Sequence, residues 1–316
     1  MKLRMGKIGR NVLDRSVFKR IQGPRQTEDC VLLEDGIAVT ADPITLRTSR
    51  IGELAVYAAI GDLSAAGAEP LSFSPVILLP PDTEESLLRE IMDQIGETCH
   101  KTGLAVRGGH TEVTPAVNRP VVTGTALGRL RKKDAFHPGP GTPVFMTKWA
   151  GLEGTYLLAA EKEKELLSRF PASMVARTKR FREWLGTAEE SAAAQKSGNC
   201  LMHDLSEGGI FAALWSFADM TGAGLDIDLK QIPLRQETIE YTDYFGINPY
   251  QMESAGSLLI APEDPEALMR EMDAAGIPCG VIGTLTGDRA RILRNGEDVR
   301  YLDLPGPDSL IGILGN

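Results

Sequence analysis

Residues 203–220 read HDLSEGGIFAALWSFADM, an acid, a serine, a second acid and two glycines set directly ahead of a helical run. Ile210, Leu214 and Phe217 recur at spacings of three and four, the period of a helix face turned to a core. Asp204 then has two readings. Its carboxylate caps the helix N-terminus, or the turn that carries it holds a ligand. Gly208 and Gly209 allow a tight turn, and they also clear a helix mouth where free N–H groups could face a phosphate.

The chain around this stretch has 316 residues, more than one hydrophobic core usually serves, so two domains are expected. With 42% hydrophobic and 24% charged residues it reads as globular. No stretch approaches the roughly 18 consecutive apolar residues of a membrane span, and the N-terminal residues lack the apolar core of a signal peptide. A cytoplasmic protein without a membrane partner is expected. The net charge of -9 argues against a nucleic-acid groove, which needs clustered cations. Carboxylates can still hold a nucleotide through Mg²⁺. Cys30, Cys99, Cys200 and Cys279 show no CxxC spacing, which points to reduced thiols and not to a disulfide frame or zinc site.

Periodicity organises the first half. VLLEDGIAVTADPIT (31–45) reads as a hairpin around Asp35-Gly36. Small residues crowd 54–66, a helix packed close to its neighbours, followed by a strand over 71–79 and an amphipathic helix over 84–103. A strand over 119–130 precedes FHPGPGTP (136–143), where regular pattern stops. The domain boundary is placed there, giving units 1–138 and 139–316. In the second half, strands near 144–148, 200–203, 225–229, 257–261 and 281–285 alternate with helices such as 154–169 and 265–275, an α/β pattern with a late hairpin at Asn295-Gly296. The Ala-rich GTAEESAAAQKSG (186–198) reads as a surface helix.

Neither GxxxxGK[ST] nor a strand-linked GxGxxG occurs. In their place stand acids at turns and strand ends: Asp29, Asp42, Asp62, Glu112 and Asp204. Each has an ordinary reading, Asp29 as a turn residue, Asp42 as held by Pro43, Asp204 as a cap. As a set they match the needs of Mg²⁺, which binds through a few carboxylates plus substrate phosphates.

AVYAAIGDLSAAGAEPLSF, VRGGHTEVTP, VTADPIT and HDLSEGGI, in this order and spacing, resemble the aminoimidazole ribonucleotide synthetase superfamily, the PurM-like proteins. The resemblance covers nearly the whole chain and is closest to the hydrogenase maturation factor HypE branch, through RIGELAVYAAIGDLSAAGAEPL and IPLRQETIEYTDYFGINPYQMESAGSLLIA. It implies an α/β (α+β) two-domain fold, a homodimer whose N-terminal sheets join into a barrel, and a C-terminal α/β sandwich. It implies ATP and Mg²⁺, with Asp29, Asp42, Asp62, Glu112 and Asp204 as metal ligands and Gly108, Gly109, Thr111, Gly208 and Gly209 at the nucleotide.

The family chemistry is activation of an oxygen or carboxamide acceptor by phosphoryl transfer. His110 and Lys148 are the substrate-side catalytic candidates, with His203, Glu153 and Glu253 behind them. His110 is equally read as hydrogen-bonded within its own loop, and Lys7 in MGKIGRN either reaches a phosphate or is solvated. HypE relies on a C-terminal cysteine, whereas this sequence ends LPGPDSLIGILGN, so no such tail is expected. The function implied is an ATP-dependent enzyme, in metallocentre (hydrogenase) maturation with an assembly protein as partner. The alternatives are a small-molecule kinase resembling thiamine monophosphate kinase, and a non-catalytic nucleotide-binding assembly partner.

Overall fold

A computed structural model describes residues 3, 5–21, 29–131 and 136–315. Its first sheet is built from β1 (Val31–Leu33), β2 (Ile37–Ile44), β3 (Ala68–Leu79), β4 (Ala105–Val106), β5 (His110–Val113) and β6 (Val121–Leu130), in the order β1-β2-β6-β3-β4 with β5 pairing β3. β2, β6 and β3 are antiparallel, while β4 and β5 run parallel to β3. The hairpin read at Asp35-Gly36 is present. Asp35 and Gly36 take φ of 70° and 72°, the left-handed conformation that Asp and Gly tolerate best.

The second sheet holds β7 (Pro143–Thr147), β8 (Cys200–Asp204), β9 (Gly224–Asp228), β10 (Leu258–Pro262), β11 (Cys279–Thr286), β12 (Arg291–Asn295) and β13 (Asp298–Tyr301), ordered β13-β12-β9-β11-β7-β10-β8. Among the described strands only β12 and β9 pair in parallel here. Strand and helix alternate along much of the chain, yet apart from the late hairpin β12–β13 no two consecutive strands are neighbours in this sheet, and no run of parallel strands forms. Side chains alternate across β7: Val144 and Met146 join Ile210, Leu214 and Phe217 of the helix Gly209–Thr221, and Phe145 joins Met202, Leu258 and Ile260 beneath the helix Pro265–Ala274.

Between the sheets lies the helix Ile51–Ala65, with 13 of its 15 residues buried. Ala55, Val56, Ala59 and Leu63 pack on Phe73, Ile77, Val122 and Ala126 of the first sheet. Glu53, Tyr57, Gly61 and Ser64 meet the second half of the chain. Glu53 accepts from Tyr156 Oη at 3.0 Å and Arg182 Nε at 3.1 Å, and Ser64 O accepts from Ser191 Oγ at 2.8 Å. A helix covered on both sides needs no polar stripe.

Two expectations change. The Ala-rich stretch forms the helix Ala188–Lys196, but Glu190, Ser191, Ala193 and Ala194 are buried. Its alanines let it press against the helices Ile51–Ala65 and Pro265–Ala274, so it is an interface helix and not a surface one. The helix read over 154–169 is divided into Leu152–Glu161 and Glu163–Leu167 by Lys162 at φ -112°, ψ 25°.

On the far face of the first sheet, Val39, Val76, Leu78 and Leu127 are only half-buried, and β1 exposes Val31, Leu32 and Leu33. On the near face, a Cβ at Gly124 would stand 2.2 Å from the Phe73 ring. Gly124→Ala should therefore lower unfolding stability in urea by about 1–3 kcal/mol through overpacking. Gly96→Ala, on an open helical position, should leave stability unchanged or raise it by roughly 0.5–1 kcal/mol.

Candidate functional site

Asp204 ends β8 and faces the helix Ile51–Ala65 at Gly61, where a Cβ would lie 2.7 Å from Asp204 Oδ2. Only glycine leaves room for the buried carboxylate. Asp62, the next residue, turns to the first sheet and accepts a hydrogen bond from Thr40 Oγ1. Thr40 and Asp42 share one face of β2 at a spacing of two, and Thr40 Oγ1 lies 3.4 Å from Asp42 Oδ2. Asp29 pairs with His203 of β8, Oδ2 to Nδ1, at 2.7 Å. One ligand atom each from Asp29, His203 and Asp204 lies within 4.8 Å of the other two.

The electrostatics of this group are strained by burial. Desolvation raises the Asp62 carboxyl well above its usual range, and Asp204, Asp42 and Asp29 add to the rise. Asp204 is raised to about 7, by burial first and then by Asp29, against the opposing pull of His203 and Lys7. Burial alone would lower the His203 pKa, yet Asp29 raises it overall. Carboxylates that raise one another's proton affinity form a site short of positive charge. Such an oxygen-rich donor set fits a hard divalent cation.

Lys7 answers part of that shortage. Its Nζ donates to Ser206 Oγ at 3.1 Å, and Asp204, Glu253, Glu207 and Asp42 raise its pKa although burial opposes the charge. Lys7 stays exposed, as the solvated reading expects, and its ammonium reaches the 204–209 turn through Ser206.

Behind that turn sits a second acid group. Glu153 is pushed up to about 8 by burial and then by Asp308, and Glu253 is raised by burial and then by Glu153. Asp308 is raised to about 6 by burial, although Gly208 N and Leu310 N each donate to it at 2.8 Å. Sequence reading missed Asp308, because nothing in PGPDSL ties it to a turn a hundred residues earlier.

The glycine pair departs from expectation in one respect. Gly208 N donates to Asp308 and Gly209 N to Ser206 O at 3.0 Å, so neither amide is free for a phosphate. What demands glycine is space and φ: Gly209 is at 64°, and its Cβ would stand 2.7 Å from both Tyr250 O and Met252 O.

The other sequence candidates lie apart. Gly108 and Gly109 take φ of 67° and 125°, and a Cβ at Gly109 would meet Pro75 O at 2.5 Å, so they set β5 beside β3. Thr111 is exposed on β5, and so are His110 and Glu112, whose side chains face each other at 3.5 Å. Among the described residues no hydrogen bond or ion pair joins this turn to the buried acids. Lys148, at φ 48° after β7, donates to Trp184 O at 2.7 Å, Gly186 O at 2.6 Å and Glu190 Oε1 at 2.6 Å. Burial pushes the thiols of Cys99 and Cys279 up to about 11 and about 12, far from the thiolate a nucleophile needs.

Glu153 yields a pH prediction. Its folded pKa of about 8 exceeds the ordinary 4.5, so its contribution to stability is complete in acid and is lost as pH rises through about 8. The melting temperature of the nucleotide-free protein should fall across that window, and Glu153→Gln should flatten the fall. An identical slope in the variant would contradict the assignment.

Residues 27–130 match the AIR synthase related protein N-terminal domain, and residues 139–294 match its C-terminal domain. Carbamoyl dehydratase HypE of Rhodobacter capsulatus is 28% identical over 280 residues, covering 83% of this chain and 80% of that protein. The crystal structure of a HypE-HypF complex superposes with a TM-score of 0.78 at 20% identity, over 93% of this chain and 99% of the other. HypE in complex with ATP superposes with a TM-score of 0.70 at 18% identity, over 95% and 96%. With both domains matched in order and the two-sheet architecture shared along nearly its whole length, the chain belongs to the AIR synthase related family.

Proposed function

We propose that this protein is an ATP- and Mg²⁺-dependent enzyme of the HypE-like branch that activates an oxygen or carboxamide acceptor by phosphoryl transfer in hydrogenase metallocentre maturation. The observation that carries this reading is the cluster of Asp29, His203 and Asp204, with ligand atoms within 4.8 Å of one another, and Asp62 next to the Gly61 on which Asp204 packs, with Thr40 between Asp62 and Asp42. The named relatives, carbamoyl dehydratase HypE and a HypE bound to ATP, support it.

On this reading Asp29, Asp42, Asp62 and Asp204 hold Mg²⁺, and Glu112 joins them from β5. A bound Mg²⁺ would offset charge on the nucleotide phosphates as the γ-phosphoryl bond loosens. Thr40 orients Asp62, and His203 orients Asp29. Lys7, whose Nζ donates to Ser206 Oγ beside the same carboxylates, would be available to a phosphate oxygen if a bound metal offset their charge. Gly108, Gly109, His110 and Thr111 receive the nucleotide, while Gly208 and Gly209 shape the opposite wall. Lys148 acts on the acceptor side by fixing the 184–190 segment.

The unit boundaries at 138 and 139, the cytoplasmic setting and a metallocentre-assembly protein as partner belong to the same proposal. So does a homodimer that closes the half-buried face of the first sheet. Leu127→Asp on that face should shift the sedimentation coefficient from dimer to monomer. A wild type that sediments as a monomer would remove this part.

ATP hydrolysis with and without Mg²⁺ tests the core of the reading. Asp62→Asn and Asp204→Asn should each cut Mg²⁺-dependent turnover roughly tenfold or more. Undiminished turnover in both variants, or turnover indifferent to Mg²⁺, would sink it.

A further inference from the structure

A cavity of about 540 Å³ lies between the helix Ile51–Ala65 and the segment 182–190, within the size range of small-molecule sites. One wall is aromatic. Trp149 and Trp184 meet with ring centroids 4.9 Å apart at 47°, and the Arg235 guanidinium lies over Trp149 at 4.8 Å and over Trp184 at 5.6 Å. The pair is therefore braced from behind and presents a fixed apolar surface.

The polar side of the cavity is incomplete. All three donors of Lys148 are engaged, by Trp184 O, Gly186 O and Glu190 Oε1. Glu190, which lines the cavity, has no hydrogen-bond partner for its Oε2 among the described residues. Glu190 is 4% exposed. Buried polar atoms in native folds are nearly always paired, so an orphan carboxylate oxygen beside a cavity implies a missing partner. A carboxylate only accepts, hence the partner is a donor. Lys148 already neutralises Glu190, so a neutral N–H group matches better than a cation.

The position is equally informative. Tyr57 lines the cavity, and Gly61, one helical turn or about 6 Å further along the same face, meets Asp204. Asp204 and Thr147 both flank Leu258 of β10, which puts Lys148 and Asp204 at the same sheet edge two strand spacings, about 10 Å, apart.

We propose that this cavity is the acceptor pocket, taking a small neutral molecule whose flat apolar body lies on Trp149 and Trp184 and whose N–H group donates to Glu190. The acceptor role rests on the metal-nucleotide reading of the acid cluster; occupancy of the cavity does not.

Nicotinamide, a flat ring with a neutral carboxamide, is the probe, and nicotinate, which lacks the donor, is its control. Of the three tryptophans, Trp149 and Trp184 line the cavity and Trp215 packs under Arg291. In protein labelled with 5-fluorotryptophan, millimolar nicotinamide should shift the fluorine resonances of Trp149 and Trp184 and leave Trp215 in place. Nicotinate should bind about tenfold more weakly than nicotinamide. Gly186→Leu should block the cavity, because a Cβ there makes only an ordinary 3.8 Å contact with Tyr57. Unmoved Trp149 and Trp184 resonances, or an equal response to nicotinate, overturn the site. Binding of a nonhydrolysable ATP analogue with Mg²⁺, measured separately, should be the same in Gly186→Leu as in wild type, so the pocket and the nucleotide reading stand or fall apart. Saturating nicotinamide should alter Mg²⁺-ATP hydrolysis in the wild type and not in Gly186→Leu; an unaltered wild-type rate overturns the acceptor assignment.

Discussion

The architecture turns on one close approach, that of the helix Ile51–Ala65 to two sheets at once. Ala55, Ala59 and Gly61 are small because each side of this helix is occupied, the first sheet on one and β8 with the helix Ala188–Lys196 on the other. The same geometry brings charge together. Asp62 is carried by the helix and Asp204 packs on Gly61 beside it, and neither can retreat into solvent without opening the contact between the halves of the molecule. The placement of the acids and the packing are therefore coupled at the backbone of one helix.

Buried charge is handled in two ways. Burial raises the carboxyls of Asp62, Asp204, Glu153 and Glu253, neighbouring acids add to each rise, and the turn at 204–209 lies between the two groups. Lys148 and Glu190 form a closed pair instead, in which burial lowers the lysine pKa and Glu190 opposes that fall. A buried pair of this kind adds little net stability, because desolvation offsets the attraction, but removing one partner strands the other. Its value here is positional: it ties the segment carrying Trp184 and Gly186 to the end of β7.

Much of this was legible before the structure. The hairpin at Asp35-Gly36, the tightly packed helix with Asp62, and the turn HDLSEGG followed by a core helix all carry local signals. They are dihedral needs of Gly and Asp, crowding by small residues, and apolar periodicity. Other features had no local signal. The helix Ala188–Lys196 looked like a solvated segment because alanine suits a surface as well as a tight interface, and only its neighbours decide between them. Lys7 is exposed as expected, but its bond to Ser206 had no local signal, since the two lie 199 residues apart.

The sequence by itself determined which residues bear charge, where the chain turns, and which family pattern the acids follow. It could not say that the amides of Gly208 and Gly209 are already engaged, that Asp308 closes the turn from the far end of the chain, or that Glu190 keeps one oxygen without a partner. Those facts depend on distances between residues remote in sequence. Burial and mutual repulsion, which move the carboxyls of Asp204 to about 7 and Glu153 to about 8, exist only once the two sheets have closed on the helix between them.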